Sequence, residues 1–404
     1  MKALALFLYI LLPLVLCAQQ PEIDSLKQVI ETTRTDSVRG RAYCRLCVAF
    51  RKASQSEEAV AAGLKGLSIT RQAKDREGEG DCLERLAMVY AQQGELTQAL
   101  QTHQHSYRIR EESGDSVRLA KTLRYMGSLY NELGDYPRAL DFQLRSLRIR
   151  EQLGDRLGVA SSLISVGVVL EQQNDYAQAR IYFEQALHRW QELGELPGVA
   201  ACQSNLANLY FYQQDYAKAI EWDERSYALH EQLGMWGPAA ANLSNLCAAY
   251  LRTGALDQAL AYSRRSLAMT RKTGSRFNEP QIFSLLSAAH LRLGRVDSAR
   301  WYARQAVGLA QQMGHLEFKI NATKALYRAD SALGNWKAAF DAHQQLLAYA
   351  DSSKNDEQSR ELGRLQSKYA YDKQAEADRL LAQAEQNRQR ERYTWMLGSA
   401  GGGL

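Results

Sequence analysis

Most of the marks of an enzyme are missing from this sequence. No glycine loop is placed to cradle a phosphate, and Gly401-Gly402-Gly403 has no helix after it. There is no nucleophile elbow and no pair of carboxylates arranged for acid–base work. The seven histidines, at 103, 105, 188, 230, 290, 315 and 343, are dispersed, and His103-x-His105 points to two faces of a helix, so no metal pair is expected. These absences imply no catalytic residues, no cofactor and no metal. Charge is nearly balanced, with Lys+Arg 50 against Asp+Glu 45, and the signs interleave as in Arg148-Ile149-Arg150-Glu151. No basic block carries stacking aromatics, which argues against a nucleic-acid partner. Proline is scarce at six, and Pro137, Pro197, Pro238 and Pro280 all fall where a helix would begin, so each missing N–H costs little.

Cysteine is also scarce. Six are present, and five (Cys44, Cys47, Cys82, Cys202, Cys247) lie beyond Cys17. An odd count leaves at least one unpaired in an oxidising compartment. Cys44-x-x-Cys47 has the spacing of a redox motif, but it lies within a helical pattern with no strand before it. Buried structural thiols are the expectation for all five.

What the chain does contain is a repeat. Alanine recurs every 40 residues at Ala59, Ala99, Ala139, Ala179, Ala219, Ala259, Ala299 and Ala339. Other columns keep the same step: an apolar one through Leu86, Met126 and Val166, a small one through Ala87, Gly127 and Gly167, and a mostly aromatic one through Tyr90, Tyr130 and Tyr210. Two turn columns, Gly94–Gly134–Gly254 and Gly114–Gly154–Gly194, lie half a period apart. Such a period means one supersecondary unit copied end to end.

One unit can be read residue by residue. Gly154 suits a left-handed helix end, and Asp155 can cap the next helix. Apolar or small residues then recur at three and four, from Leu157 through Ala160, Leu163, Ile164 and Gly167 to Leu170, which makes a helix with one buried face. Asn174-Asp175 is the turn, and a second helix from Tyr176 buries Ala179, Tyr182, Phe183, Ala186 and Leu187. Gly167 and Ala179 let the two backbones approach closely.

At Leu206-Ala207-Asn208-Leu209-Tyr210, Asp215-Tyr216, Ala219-Ile220 and Trp222 the chain resembles the tetratricopeptide repeat family, in its 40-residue variety closed by motifs such as Leu153-Gly154-Asp155. The resemblance implies an all-α, right-handed superhelix of about eight helix-turn-helix units over residues 42–354, with degraded terminal units at 42–74 and 322–354. It also implies a non-catalytic protein that binds a protein or an extended peptide on the face lined by the first helix of each unit. The matching positions are Arg124, Tyr125, Ser128 and Asn131; Ser204, Asn205, Asn208, Phe211 and Tyr212; Asn242, Ser244 and Asn245; then Arg252 and Arg292. Asparagine suits this task, since its amide both donates and accepts. Asn205 and Asn245 can equally be solvated or bond neighbouring helices. The charged clamp of some relatives is absent, because Ser204 and Ser244 stand where lysine would be wanted.

The two ends carry other signals. Met1-Lys2, the apolar run from Ala3 to Leu16 and the stretch Cys17-Ala18-Gln19 read as a secretory signal peptide, residues 1–18, cleaved after Ala18. An uncleaved anchor is the other reading, and Leu16 before Cys17 argues against a lipoprotein. A lead-in helix is expected over 19–41. Past 354 the period stops, and 355–392 reads as one long charged helix, a candidate coiled coil through which two copies could form a homodimer. Arg388, Arg390, Arg392, Tyr393 and Trp395 look like a membrane-interface belt, and 393–404 then reads as the start of a transmembrane segment, although those arginines run against the positive-inside bias. The layout resembles the exported input region of bacterial membrane sensors with a histidine-kinase or DNA-binding output. A stand-alone periplasmic scaffold is the alternative.

Overall fold

Among the described residues, most connections from residue 74 onward are set by a residue in the left-handed backbone region, and these residues keep a 20-residue step. In the computed structural model, which describes residues 20–351 except 54, 273–275 and 350, positive φ occurs at 74, 94, 114, 134, 154, 174, 194, 214, 234, 254, 294, 314 and 334. Glycine holds most of these positions, while Lys74, Asn174 and Gln214 adopt the same conformation with a side chain. The turn is therefore fixed by the step itself.

The residue after the left-handed one starts the next helix. Asp75, Asp115, Asp135, Asp155, Asp175 and Asp215 each accept a hydrogen bond from the backbone N–H three residues on, which satisfies an otherwise orphaned helix donor. At the equivalent position of another helix stands Met235, with no capping bond, and three residues on is Pro238, which has no N–H to offer.

Seventeen helices result among the described residues, and no strand. After α1 (20–32) they pair into eight units: α2 (Asp36–Lys52) with α3 (Ser56–Gln72), α4 (Arg76–Gln92) with α5 (Leu96–Ser113), α6 (Ser116–Glu132) with α7 (Tyr136–Gln152), and α8 (Arg156–Gln172) with α9 (Tyr176–Leu193). The second half continues with α10 (Leu196–Tyr212) and α11 (Tyr216–Gln232), α12 (Trp236–Thr253) and α13 (Leu256–Lys272), α14 (Glu279–Arg292) and α15 (Val296–Met313), and α16 (Leu316–Ala332) with α17 (336–349). Helix α1 covers the open end of the first unit, burying Ile23 and Leu26 in a cluster with Leu46, Ala49, Ala59 and Ala62. No helix among the described residues is long and apolar enough to cross a membrane. The expectations for 1–18, 355–392 and 393–404 fall outside the described residues.

Inside each unit the small-residue column of the first helix meets a matching position on the second, and bulk on one side is offset by its absence on the other. A Cβ on Gly167 would stand 2.6 Å from the Phe183 ring, and one on Gly127 would stand 2.8 Å from the Gln143 amide. Where the first helix carries Cys247, the second carries only Ser263, 2.7 Å away. A second column ties the pair together. Ser106, Ser146, Ser226 and Ser266 each donate to a first-helix carbonyl, of Gly80, Ala120, Ala200 and Ala240. Each bond satisfies a buried hydroxyl that would otherwise cost stability.

The cysteines depart in part from the expectation of free thiols. Cys44 on α2 and Cys82 on α4 form a disulfide, with Cα atoms 5.0 Å apart, while Cys47, Cys202 and Cys247 are free and buried. Side chains on neighbouring first helices can meet at separations two or three short of the period, as Asn208 and Asn245 do at 37 residues. Cys44 therefore meets Cys82 as Ser204 meets Asn242.

Candidate functional site

The first helices touch one another from unit to unit, α2 with α4, α6 with α8, and on through α10, α12, α14 and α16. That contact puts them on the inside of the curve. A cavity of about 630 Å³ opens on this side. Helix α10 gives it Phe211. Helix α12 gives Ala248, Leu251 and Arg252. Helix α14 gives Gln281, Ser284, Leu285, Ala288, Leu291 and Arg292, and α16 gives Asn321, Lys324, Ala325 and Arg328. The alanines and leucines recur at the same repeat positions, so they form a continuous apolar floor. Around it stand four cations and no carboxylate.

Three of those cations are uncommitted. Arg252, Lys324 and Arg328 are exposed and have no ion pair among the described residues. Arg292 donates from Nη1 to the carbonyl of Leu251, which holds its guanidinium along the wall. Gln281 and Asn321, 40 residues apart, lie 3.5 Å from each other and expose amide groups to the groove. Such a surface can hold an extended chain by amide pairing and attract acidic groups by its unneutralised field.

The sequence-derived face divides in two. Arg252 and Phe211 line the cavity, and Tyr212 next to them is 56% exposed. Its phenol is pushed above the ordinary range, by burial first and then by Glu171, Tyr176 and Glu317. The amides one unit back are already engaged. Asn245 donates to Asn208 at 3.0 Å, so that pair joins α10 to α12, while Asn205 stays half-buried beside it. Ser204 lies 2.7 Å from Ser226. Earlier in the chain, Arg124 stacks over Tyr125 at 4.6 Å, and Asn131 is half-buried with its Oδ1 unpartnered.

Asn242 does not belong to this face. It is 1% exposed. Its amide donates to Asp223 at 2.7 Å and to Ser204 at 3.0 Å, and its Oδ1 lies 2.8 Å from His230 Nδ1. The residue sits about a sixth of a turn, roughly 60°, away from Asn245, which turns it into the seam between α11 and α12. Burial raises the Asp223 carboxyl to about 7, against the opposing bonds from Asn242 and Asn245.

Sequence reasoning missed Gln281, Ser284, Asn321, Lys324 and Arg328. The signal was present, because Lys324 and Arg328 lie three periods after Ser204 and Asn208. The column in which lysine was wanting at Ser204 and Ser244 supplies it in the last unit.

Residues 38–112, 118–192 and 181–232 match the model of the tetratricopeptide repeat family. The chain is a tetratricopeptide repeat protein. Solved tetratricopeptide-like structures share the fold. A Rap protein complexed with competence and sporulation factor matches with a TM-score of 0.58 at 12% identity, over 85% of this chain and 99% of that one. The apo quorum sensor NprR from B. thuringiensis matches with a TM-score of 0.58 at 14% identity, over 83% and 94%. Aspartyl phosphate phosphatase F from Bacillus subtilis matches with a TM-score of 0.60 at 12% identity, over 81% and 88%. At these identities the likeness is one of fold. No curated protein matches the chain significantly. As a tetratricopeptide repeat protein it is a protein-binding scaffold. No group of three or more His, Cys, Asp or Glu side chains that could hold a metal comes together among the described residues.

Proposed function

We propose that this protein is the extracytoplasmic sensory region of a membrane-anchored signalling protein and that it holds an extended peptide in its concave groove. The observation that carries the binding half is the cavity on α12, α14 and α16, with an apolar floor, the half-buried amides of Gln281 and Asn321, and uncommitted cations. Peptide is the occupant that matches it, because backbone N–H and C=O groups need amide partners and side chains need apolar recesses. Fold neighbours solved with competence and sporulation factor, or described as a quorum sensor, agree with a binding role.

Two observations support placement outside the cytoplasm. The apolar leader at residues 3–16 has the form of an export signal. The Cys44–Cys82 bond is of a kind that persists in oxidising compartments and is rare where thiols are kept reduced. In this reading the anchor is a transmembrane segment that starts at about Tyr393.

The binding test is direct. A displayed library of random short peptides is panned on the full protein, and the recovered peptides are titrated against Ala288→Trp, which fills the groove floor. Peptides that bind the parent should lose about tenfold or more in affinity, since overfilling a packed recess costs ~1–3 kcal/mol. Recovered peptides that all bind Ala288→Trp as well as the parent would place the site elsewhere. Placement is checked by mass spectrometry of protein purified from cells, which should begin at Gln19.

A further inference from the structure

The concave face changes chemical character along its length. Toward α12–α16 it offers cations. Toward α8 it offers a buried acid with nothing to neutralise it. Glu171, near the end of α8, is 8% exposed, and its Oε1 is a buried atom with no hydrogen-bond partner. Every other buried acid among the described residues has company. Glu79 pairs with Arg71 and Arg76, Glu84 with Lys121, Asp135 with Arg138, Glu279 with Arg276, and Asp330 with Arg300. Asp223 is held by the Asn242 amide. Glu171 alone has neither a cation nor an amide.

Its position gives this vacancy a meaning. In the 40-residue register Glu171 is equivalent to Phe211, Leu251 and Leu291, and all three line the cavity. Its charge reaches Tyr212, the exposed neighbour of Phe211. Burial is the one cause that lifts its carboxyl, to about 7, and no charged neighbour contributes. A buried carboxyl kept without a partner is costly unless something arrives to pair with it.

We propose that the ligand is a peptide with separated charges, its acidic stretch lying against Arg252, Arg292, Lys324 and Arg328 and a lysine or arginine of the same peptide pairing with Glu171. The proposal rests on the peptide-groove reading above and adds the ligand's charge order. Spacing follows from geometry. An extended chain advances ~3.3 Å per residue and neighbouring helices stand about 10 Å apart, so each unit spans about three residues. Arg252 lies two units beyond Glu171, which sets the base about six residues or more from the acids.

The test uses the same displayed library on the full protein, on Glu171→Gln, and on Lys324→Glu with Arg328→Glu, each checked for unchanged helical content. Peptides selected by the parent should combine an acidic cluster with one distant base. Changing that base to glutamine should weaken binding to the parent about tenfold or more, and should leave binding to Glu171→Gln unchanged. Changing the acids should matter to the parent and not to the Lys324/Arg328 variant. If selected peptides bind the groove but lack the base, or if Glu171→Gln remains as sensitive to the base as the parent, the charge order is wrong and the groove reading stands. If no library peptide binds in a way that Ala288→Trp weakens, both readings fall.

Discussion

At the scale of single residues, the two buried acids outside ion pairs make stability fall as pH rises toward 7, while His103, held down to about 3 by burial, acts in the opposite sense. Burial lifts Asp223 to about 7 from an ordinary 3.8, and Glu171 to about 7 from 4.5. For a carboxyl raised in this way, the folded state favours the protonated form. The stability each contributes is present below about pH 4 and is lost as pH rises through about 7. Asp223→Asn keeps the acceptor that Asn242 needs and removes the charge. It should raise stability above pH 7 by about 2–4 kcal/mol and flatten the profile between about pH 4 and 7. Urea denaturation across that range is the measurement, and a variant that keeps the parent's slope would show that Asp223 is not the source. Residue chemistry of this kind was only partly legible in the sequence. Asn242 reads as a groove residue because it lies close to Asn245, but the roughly 60° between them is enough for Asp223 and His230 of α11 to draw it into the helix pair. Lys324 and Arg328 were harder to read because they lie in the last unit, which departs from the family pattern. Binding groups depart from that pattern, since the repeated columns are occupied by packing.

At the scale of elements, helices and turns were readable almost completely, because each signal is local and repeated. Gly154, Asp155 and Asn174-Asp175 act where the sequence places them, as left-handed turn, cap and turn. The matching of small and large residues across a helix pair was harder to see, since Gly167 and Phe183 lie 16 residues apart and on different elements. The capping column makes a stability prediction. Helix α15 begins at Arg295, which makes no capping bond, has the backbone of the capped positions (φ −88, ψ 66) and is followed three residues on by Ser298 with its N–H in place. Arg295→Asp should add a cap and remove a cation from the positive end of the helix, for a gain of about 1 kcal/mol. A thermal melt should show the increase. No change would mean that water already satisfies that helix end as well.

At the scale of the whole molecule, the architecture follows from the period, and the disulfide does not. Cys44 and Cys82 are 38 residues apart, and only the offset between neighbouring first helices brings them together. In a linear array each unit holds only its neighbours, and opening starts at the ends. The bond between α2 and α4 cross-links the first two units, so opening there is opposed by a covalent tie worth about 2–4 kcal/mol. Hydrogen exchange should show α16 and α17 opening before α2, and a reductant should erase much of that difference by loosening α2–α4. Equal protection at both ends of the oxidised protein would contradict this polarity.

The tie also makes the molecule behave like a zipper with one end sewn shut. Unravelling has a single direction, inward from α17, and the cation-lined groove on α12–α16 lies in its path. A peptide that bridges those helices back to α8 would cross several unit boundaries at once, and so act as a second stitch. Occupancy would then register as stiffness at the far end, the end from which the chain runs on toward Leu404.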